Sequence, residues 1–414
     1  MTFFYFLFAL LFTFTSPSFG YELVRDYSGL TFFDKWDFFG NWDNLTLGDV
    51  WWLNETDAFA QQLAYVNEAG NAILKVDNRS NVPFNQKRNT VRIESKDTYA
   101  VGSLWIIDLH HIPYGCSVWP AFWTVGPTWP DDGEIDIIEG INMMGNNQMA
   151  LHSLPGCFKS TPPSQLGRTL VSDCSTPAGC TVQELQPNSF GSGFAAAGGG
   201  VWATQFDVSG IYIWFWSRPN VPASILQSDL SSSIDLSQWG PPTASYPSNS
   251  CDITRFFSSQ KLVLDITLCG IWAGEPDNYL PACANQGATK TCYADNVVGP
   301  GSPRYDNAYF EISYVRAYTT GGIVPTPTHP GPVFATGGSP TSPPNANAGS
   351  SLSISKVGMG EHYAAYWLIT RGWAMIVNVL LWFLKLILDA WTVFYTPVDL
   401  LNLNVASRIQ QTTL

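Results

Sequence analysis

An all-β domain is predicted for residues 21–320, built as a sandwich or barrel of short strands. Three observations predict it. First, β-branched and aromatic runs recur at Ala72–Val76, Thr90–Ser95, Leu104–Leu109, Glu134–Glu139, Ile211–Trp216, Lys261–Leu268 and Tyr309–Tyr318. Such side chains fit a pleated, half-buried surface. Second, Gly, Pro, Asn and Ser punctuate these runs with turn chemistry. Third, 35 Gly, 28 Pro and 14% aromatic residues stand against only 13% charged ones, a balance that suits many turns and short strands better than long helices. The last run alternates cleanly through Tyr309-Phe-Glu-Ile-Ser-Tyr-Val-Arg-Ala-Tyr318 and is expected to close the domain. No internal repeat is visible at a period of roughly 20–50 residues.

The flanks read differently. Residues 1–20 carry an apolar run from Phe3 to Phe14, followed by Ser16, Pro17, Ser18 and Gly20. This is the pattern of a cleaved secretory signal, although a basic start is missing. The run is shorter than the ~18–20 apolar residues of a membrane span, which disfavours an N-terminal anchor. Residues 321–355 are Gly, Pro, Ser, Thr and Asn with almost nothing to bury, a flexible linker. Residues 356–414 form an apolar tail in which Arg371, Asn378, Lys385 and Asp389 interrupt the hydrophobic run. Its longest uncharged stretch, Gly372–Leu384, is 13 residues, short of the ~20 that span a bilayer. A glycolipid-anchor signal, a membrane-associated helix and an unstructured end all remain open for it, and with them attachment to a membrane or cell wall.

A net charge of −13 excludes nucleic acid as the natural partner, since phosphates would be repelled. All eight cysteines (116, 157, 174, 180, 251, 269, 283 and 292) fall inside the proposed domain. That even count fits disulfides in an oxidising compartment. On the order of 100 pairings are possible, and proximity suggests only Cys174–Cys180. No Cys-x-x-Cys or His-x₃₋₅-His spacing supports zinc. Sequons at Asn44, Asn54 and Asn78 agree with secretion.

The most informative stretch is Glu134-Ile-Asp-Ile-Ile-Glu139. Isoleucine favours a strand, and in a strand Glu134 and Asp136 share a face while Glu139 falls out of phase. One bulge at Ile137 or Ile138 restores the phase and aims three carboxylates at one face. Like charges so placed repel, so chemistry explains them better than stability does. With the bulge, the two glutamates lie four strand positions apart, about 13 Å between backbones. Side chains leaning inward by ~4 Å each leave the carboxyl groups about 5–6 Å apart. That favours the retaining mode of glycoside hydrolysis over the inverting one, which needs about 6.5–9.5 Å.

The stretch Trp119-Pro-Ala-Phe-Trp-Thr-Val-Gly-Pro-Thr-Trp-Pro-Asp-Asp-Gly-Glu-Ile-Asp-Ile-Ile-Glu-Gly-Ile-Asn142 closely resembles glycoside hydrolase family 16, in its fungal endo-β-1,3(4)-glucanase (laminarinase) type. So do Asn89–Ser95, Asn147–His152, Gly210–Pro219 and Leu268–Gly274. The resemblance covers roughly residues 22–320. It implies a β-jelly-roll sandwich with a cleft across one sheet, Glu134 as nucleophile, Glu139 as acid/base and Asp136 as the neighbour that tunes them. Ile271 stands where relatives more often carry an acid.

Around these carboxylates, Trp119, Trp123, Trp129 and Trp272 are candidate platforms for the apolar faces of sugar rings. Each could equally be core. His152, on the expected neighbouring strand, is a candidate partner of Asp136 or of a sugar hydroxyl. Asn142 and Arg92 are candidate substrate contacts, with pairing of a buried acid as the duller role. Asp131-Asp132-Gly133 reads as a turn, and His110 and His111 receive no role.

Together these features predict a secreted, monomeric, retaining endo-glucanase acting on β-glucan. It needs no metal or cofactor, because the carboxylates act directly. A cell-wall transglycosylase would use the same carboxylates. A non-catalytic glucan-binding module would be favoured by loss of either glutamate, and both are present.

Overall fold

The computed structural model describes residues 20–228 and 233–327. The expected secretory signal as far as residue 19, the expected linker beyond Pro327 and the whole apolar tail lie outside the described residues.

Two large antiparallel sheets face each other across one core, as the jelly-roll expectation requires. The first sheet has nine strands, with Tyr309–Thr320 and Ser103–His111 paired at its centre. The second has eight, in the order Arg168–Thr169, Cys180–Gln183, Gln148–His152, Glu134–Glu139, Val118–Val125, Lys261–Leu268, Arg92–Ser95 and Trp36–Phe38. Strand parity assigns the faces. From the first sheet, Trp105, Ile107, Trp202 and Phe206 enter the shared core. From the second come Phe122, Ile135, Leu151, Leu264 and Ile93. Residues of opposite parity in the first sheet, such as Leu104, Ile106, Val201 and Trp214, are covered by Val221, Ile225, Ile234 and Trp239. Among the described residues only two small clusters, around Trp119 and Trp123, lie on the opposite face of the second sheet, which carries the site described below.

The runs Glu134–Glu139 and Lys261–Leu268 are strands with the predicted ends. Ala72–Val76 ends one residue early at Lys75, three other runs extend by one or two residues at an end, and Thr90–Ser95 divides into Arg88–Thr90 and Arg92–Ser95. Strand Val118–Val125 holds Pro120 next to a central ladder, an unusual place for proline. It is tolerated because pairing to the Glu134–Glu139 strand ends at Ala121–Glu139, one residue short of it. Helices are few and short. Glu55–Ala60 starts at Asn54, whose side chain accepts from Asp57 N–H. Of the three sequon asparagines, Asn44 and Asn54 are exposed and Asn78 is half-buried against Asp306.

All eight cysteines are paired: Cys116–Cys283, Cys157–Cys251, Cys174–Cys180 and Cys269–Cys292. The first and last tie the segment bearing Trp272 to the sheets. The domain also runs past residue 320. Thr319 donates its hydroxyl to the Ile323 carbonyl, and Thr326–Pro327 pairs with Asp97–Thr98. A turn-forming composition therefore hid one last short strand.

Candidate active site

Asp136 is opposite Trp123 and Ile138 is opposite Phe122, so one residue between them has no partner. The neighbour on the other side shows the same slip, since Asp136 faces Ala150 while Glu139 faces Gln148. This is a bulge at Ile137, against both flanking strands at once. Ile135, Ile137 and Ile138 all point into the core with 1% exposure or less. Each such burial contributes about 1.5–3 kcal/mol, which offsets the cost of crowding three acids. Glu134, Asp136 and Glu139 accordingly lie opposite Val125, Trp123 and Ala121, all on the open face.

Tryptophans hold the two glutamates. Trp119 Nε1 donates to Glu139 Oε1 at 2.8 Å, and Trp129 Nε1 donates to Glu134. His152 is opposite Glu134 and brings Nε2 within 3.4 Å of Asp136 Oδ2. Burial pushes the Glu139 carboxyl up to about 7 even though the Trp119 N–H favours its anion. Burial raises both Glu134 and Asp136, with the Asp136 charge adding to the rise at Glu134 and the Glu139 charge to that at Asp136. Burial alone would discharge His152, but the surrounding carboxylates overrule it and push it up to about 9. The site is therefore a cluster of buried carboxyl groups that all hold their protons more tightly than usual, beside an imidazole that favours its charged form. Glu134, Asp136 and His152 also bring one ligand atom each within 4.8 Å of the others. They form the metal-like grouping of the described residues.

Not every predicted contact sits in the open. Trp119 and Trp123 are 8% and 4% exposed, and their N–H groups bond carboxylates rather than solvent. Trp272 lies in a one-turn helix, Gly270–Ala273, and packs edge-on against Trp119. Trp129 is 38% exposed beside Glu134. Arg92 is buried and committed. It bonds Glu94 at 2.8 Å and lies over the rings of Phe39, Trp52 and Trp123. Asn142 does not join the cleft. It is 2% exposed at φ 54°, and its side chain accepts from Ser117 N–H while donating to the Ala273 and Asn278 carbonyls. Its amide organises loops, a role that strand parity could not reveal.

One acid was missed. Asp265 is 7% exposed on the same open face and accepts from Trp123 Nε1 at 3.1 Å. Burial pushes it up to about 7. A lone acid inside Lys261-Leu-Val-Leu-Asp-Ile-Thr-Leu268 was the available signal.

These pKa values fix the sign of the pH dependence of stability. Glu134, Asp136, Glu139, Asp265 and His152 all hold protons more tightly when folded. The carboxylates therefore stabilise the fold fully below their unfolded values, near 4, and that contribution fades as pH rises through about 7. His152 adds stability below its unfolded 6.5 that is lost toward about 9. Thermal unfolding should give a Tm at pH 5 above that at pH 9, with a smaller difference in Glu139→Gln. A Tm that climbs with pH would contradict this assignment of protons.

A jelly roll bearing two glutamates and an intervening aspartate on its open face belongs to the class of double-carboxylate carbohydrate-active domains. Residues 36–318 match the family model described as "XgeA-like, catalytic GH16 domain". The chain belongs to glycoside hydrolase family 16. It is 35% identical to a probable glycosidase of Schizosaccharomyces pombe, over 72% of this chain and 69% of that one. It is also 35% identical to an endo-1,3(4)-β-glucanase of Emericella nidulans, over 73% of this chain and 48% of the other. The chain spans about half the length of the curated endo-glucanases it matches. Among solved structures, laminarinase 16A of Phanerochaete chrysosporium, determined with β-glucans in donor and acceptor sites, superimposes with a TM-score of 0.67 at 33% identity. It covers 72% of this chain and 99% of that one. An elongating family 16 β-1,3-glucosyltransferase gives 0.67 at 38% identity, over 72% and 100%.

Proposed function

We propose that this chain is a secreted, monomeric, retaining endo-β-glucanase that cuts internal β-1,3 bonds of β-glucan, and β-1,4 bonds of mixed-linkage chains. The observation that carries this reading is the Ile137 bulge, which turns Glu134, Asp136 and Glu139 onto one face. Glu134 attacks the anomeric carbon and Glu139 gives its proton to the departing oxygen. Glu134 must be anionic to attack, and Asp136, between the two glutamates and 3.4 Å from His152, is the neighbour placed to tune it. Glu139, now a base, then activates the water that releases the glycosyl ester. Four disulfides and the sequons support secretion, and the tail would supply any attachment to wall or membrane.

The test is incubation of the purified chain with laminarin and barley β-glucan, following reducing ends, viscosity and the anomer first formed. Early loss of viscosity with a β-anomeric product is expected. An α-anomer at first appearance would refute retention, and activity on neither glucan would refute the substrate class. A second reading, glucan transfer, is favoured by the 38% identity to a β-1,3-glucosyltransferase. Products longer than a laminari-oligosaccharide donor would select it, because a sugar hydroxyl then replaces water in the second step.

A further inference from the structure

Asp265 takes no part in the reaction just proposed, yet its surroundings match those of a ligand-binding group. Ala121 is opposite Glu139 on one side and opposite Asp265 on the other. Opposed residues of antiparallel strands share a face, so the two carboxylates flank a single methyl group on the open face. Among the described residues, Asp265 receives one hydrogen bond, from Trp123 to Oδ2, and Oδ1 accepts none. Oδ1 is not among the buried polar atoms left without a partner, so it reaches the surface of the open face, where a ligand hydroxyl can meet it. Arg92, directly opposite on the next strand, is the main charge favouring the Asp265 anion, but its guanidinium hydrogen-bonds Glu94 rather than Asp265. Lys261, on the same strand, lies 4.0 Å from Glu94.

We propose that Asp265 is a sugar-binding residue of this cleft: Oδ2 fixes the Trp123 indole, and Oδ1 accepts a hydroxyl of the glucosyl unit lying over Ala121. The ligand class is a neutral pyranose whose hydroxyl supplies the missing donor. This rests on the glucanase reading and deepens it. The same carboxylate faces Glu139, and its negative charge helps that group keep its proton.

Two readouts test the assignment. Titrating laminarihexaose into Glu134→Gln, alone and combined with Asp265→Ala, should show affinity lower by about 10- to 100-fold in the double variant, the range of a lost hydrogen bond to a charged group. On an otherwise wild-type chain, Asp265→Ala should lower kcat/KM for laminarihexaose by a similar factor. Asp265→Asn should recover part of that loss, since its amide still accepts from Trp123 and offers a polar group to the sugar. In both variants the alkaline limb of kcat/KM against pH should move to lower pH. Unchanged laminarihexaose affinity, or an unmoved limb alongside a mere fall in Tm, overturns the proposal while leaving the glucanase reading intact. A wild type that neither binds nor cleaves laminarihexaose sinks both.

Discussion

Glu134→Gln is expected to lower kcat/KM on laminarin by about 10⁴-fold or more, the scale on which loss of a covalent nucleophile acts. At 1.36 kcal/mol per decade this is about 5.5 kcal/mol of barrier. The amide keeps the shape of the side chain and can still accept from Trp129, but it cannot form the glycosyl ester. Packing gives no reason for the variant to unfold. Removing one of two crowded, buried acids relieves repulsion, so Tm should hold or rise. That separates chemistry from collapse. A companion variant, Glu134→Gly, opens space for azide beside the anomeric carbon. One displacement by azide inverts the centre, so an α-glycosyl azide should accumulate, whereas the wild type gives β-products. A Glu134→Gln enzyme with activity within tenfold of wild type would remove the nucleophile from this position.

Much of this site was legible because its spacing is irregular in an informative way. Acids at 134, 136 and 139 cannot share a regular strand face, so the sequence itself demanded an extra residue, and the ladder supplies it at Ile137. The neighbouring strand was harder to read, because Pro120 interrupts it and only the register shows that pairing ends there. Asp265 escaped notice because an isolated acid in an apolar run carries no spacing signal. Its meaning comes from Ala121, more than a hundred residues away in sequence, which places it across from Glu139. Asn142 was misplaced for the converse reason. It lies close to the catalytic strand in sequence, but a left-handed backbone turns its amide into the protein, toward Ser117 and Ala273. Disulfide pairing divides the same way. Proximity in sequence reveals Cys174–Cys180, whereas Cys116–Cys283 joins residues 167 positions apart and is set by the fold.

Glu139→Gln should separate the two halves of the reaction. With β-glucan the leaving sugar needs a proton, and losing the acid should lower kcat/KM by about 10²- to 10⁴-fold. A dinitrophenyl β-laminaribioside needs none, so its first step should proceed at nearly the wild-type rate. Water would then lack its base, and the glycosyl ester on Glu134 should accumulate as a burst, visible as an added mass on the intact protein. Added azide, a nucleophile that requires no base, should restore turnover and yield a β-glycosyl azide, the stereochemistry opposite to that from Glu134→Gly. The pH profile should change as well. In the wild type, kcat/KM should fall as pH rises through about 7, where buried Glu139 gives up its proton despite the Trp119 hydrogen bond. That limb should vanish in the variant. Equal losses on the glucan and on the activated aryl glycoside would mean that Glu139 supports the site without carrying its proton. The acid would then have to be sought among the other raised carboxylates of the same face, Asp136 and Asp265.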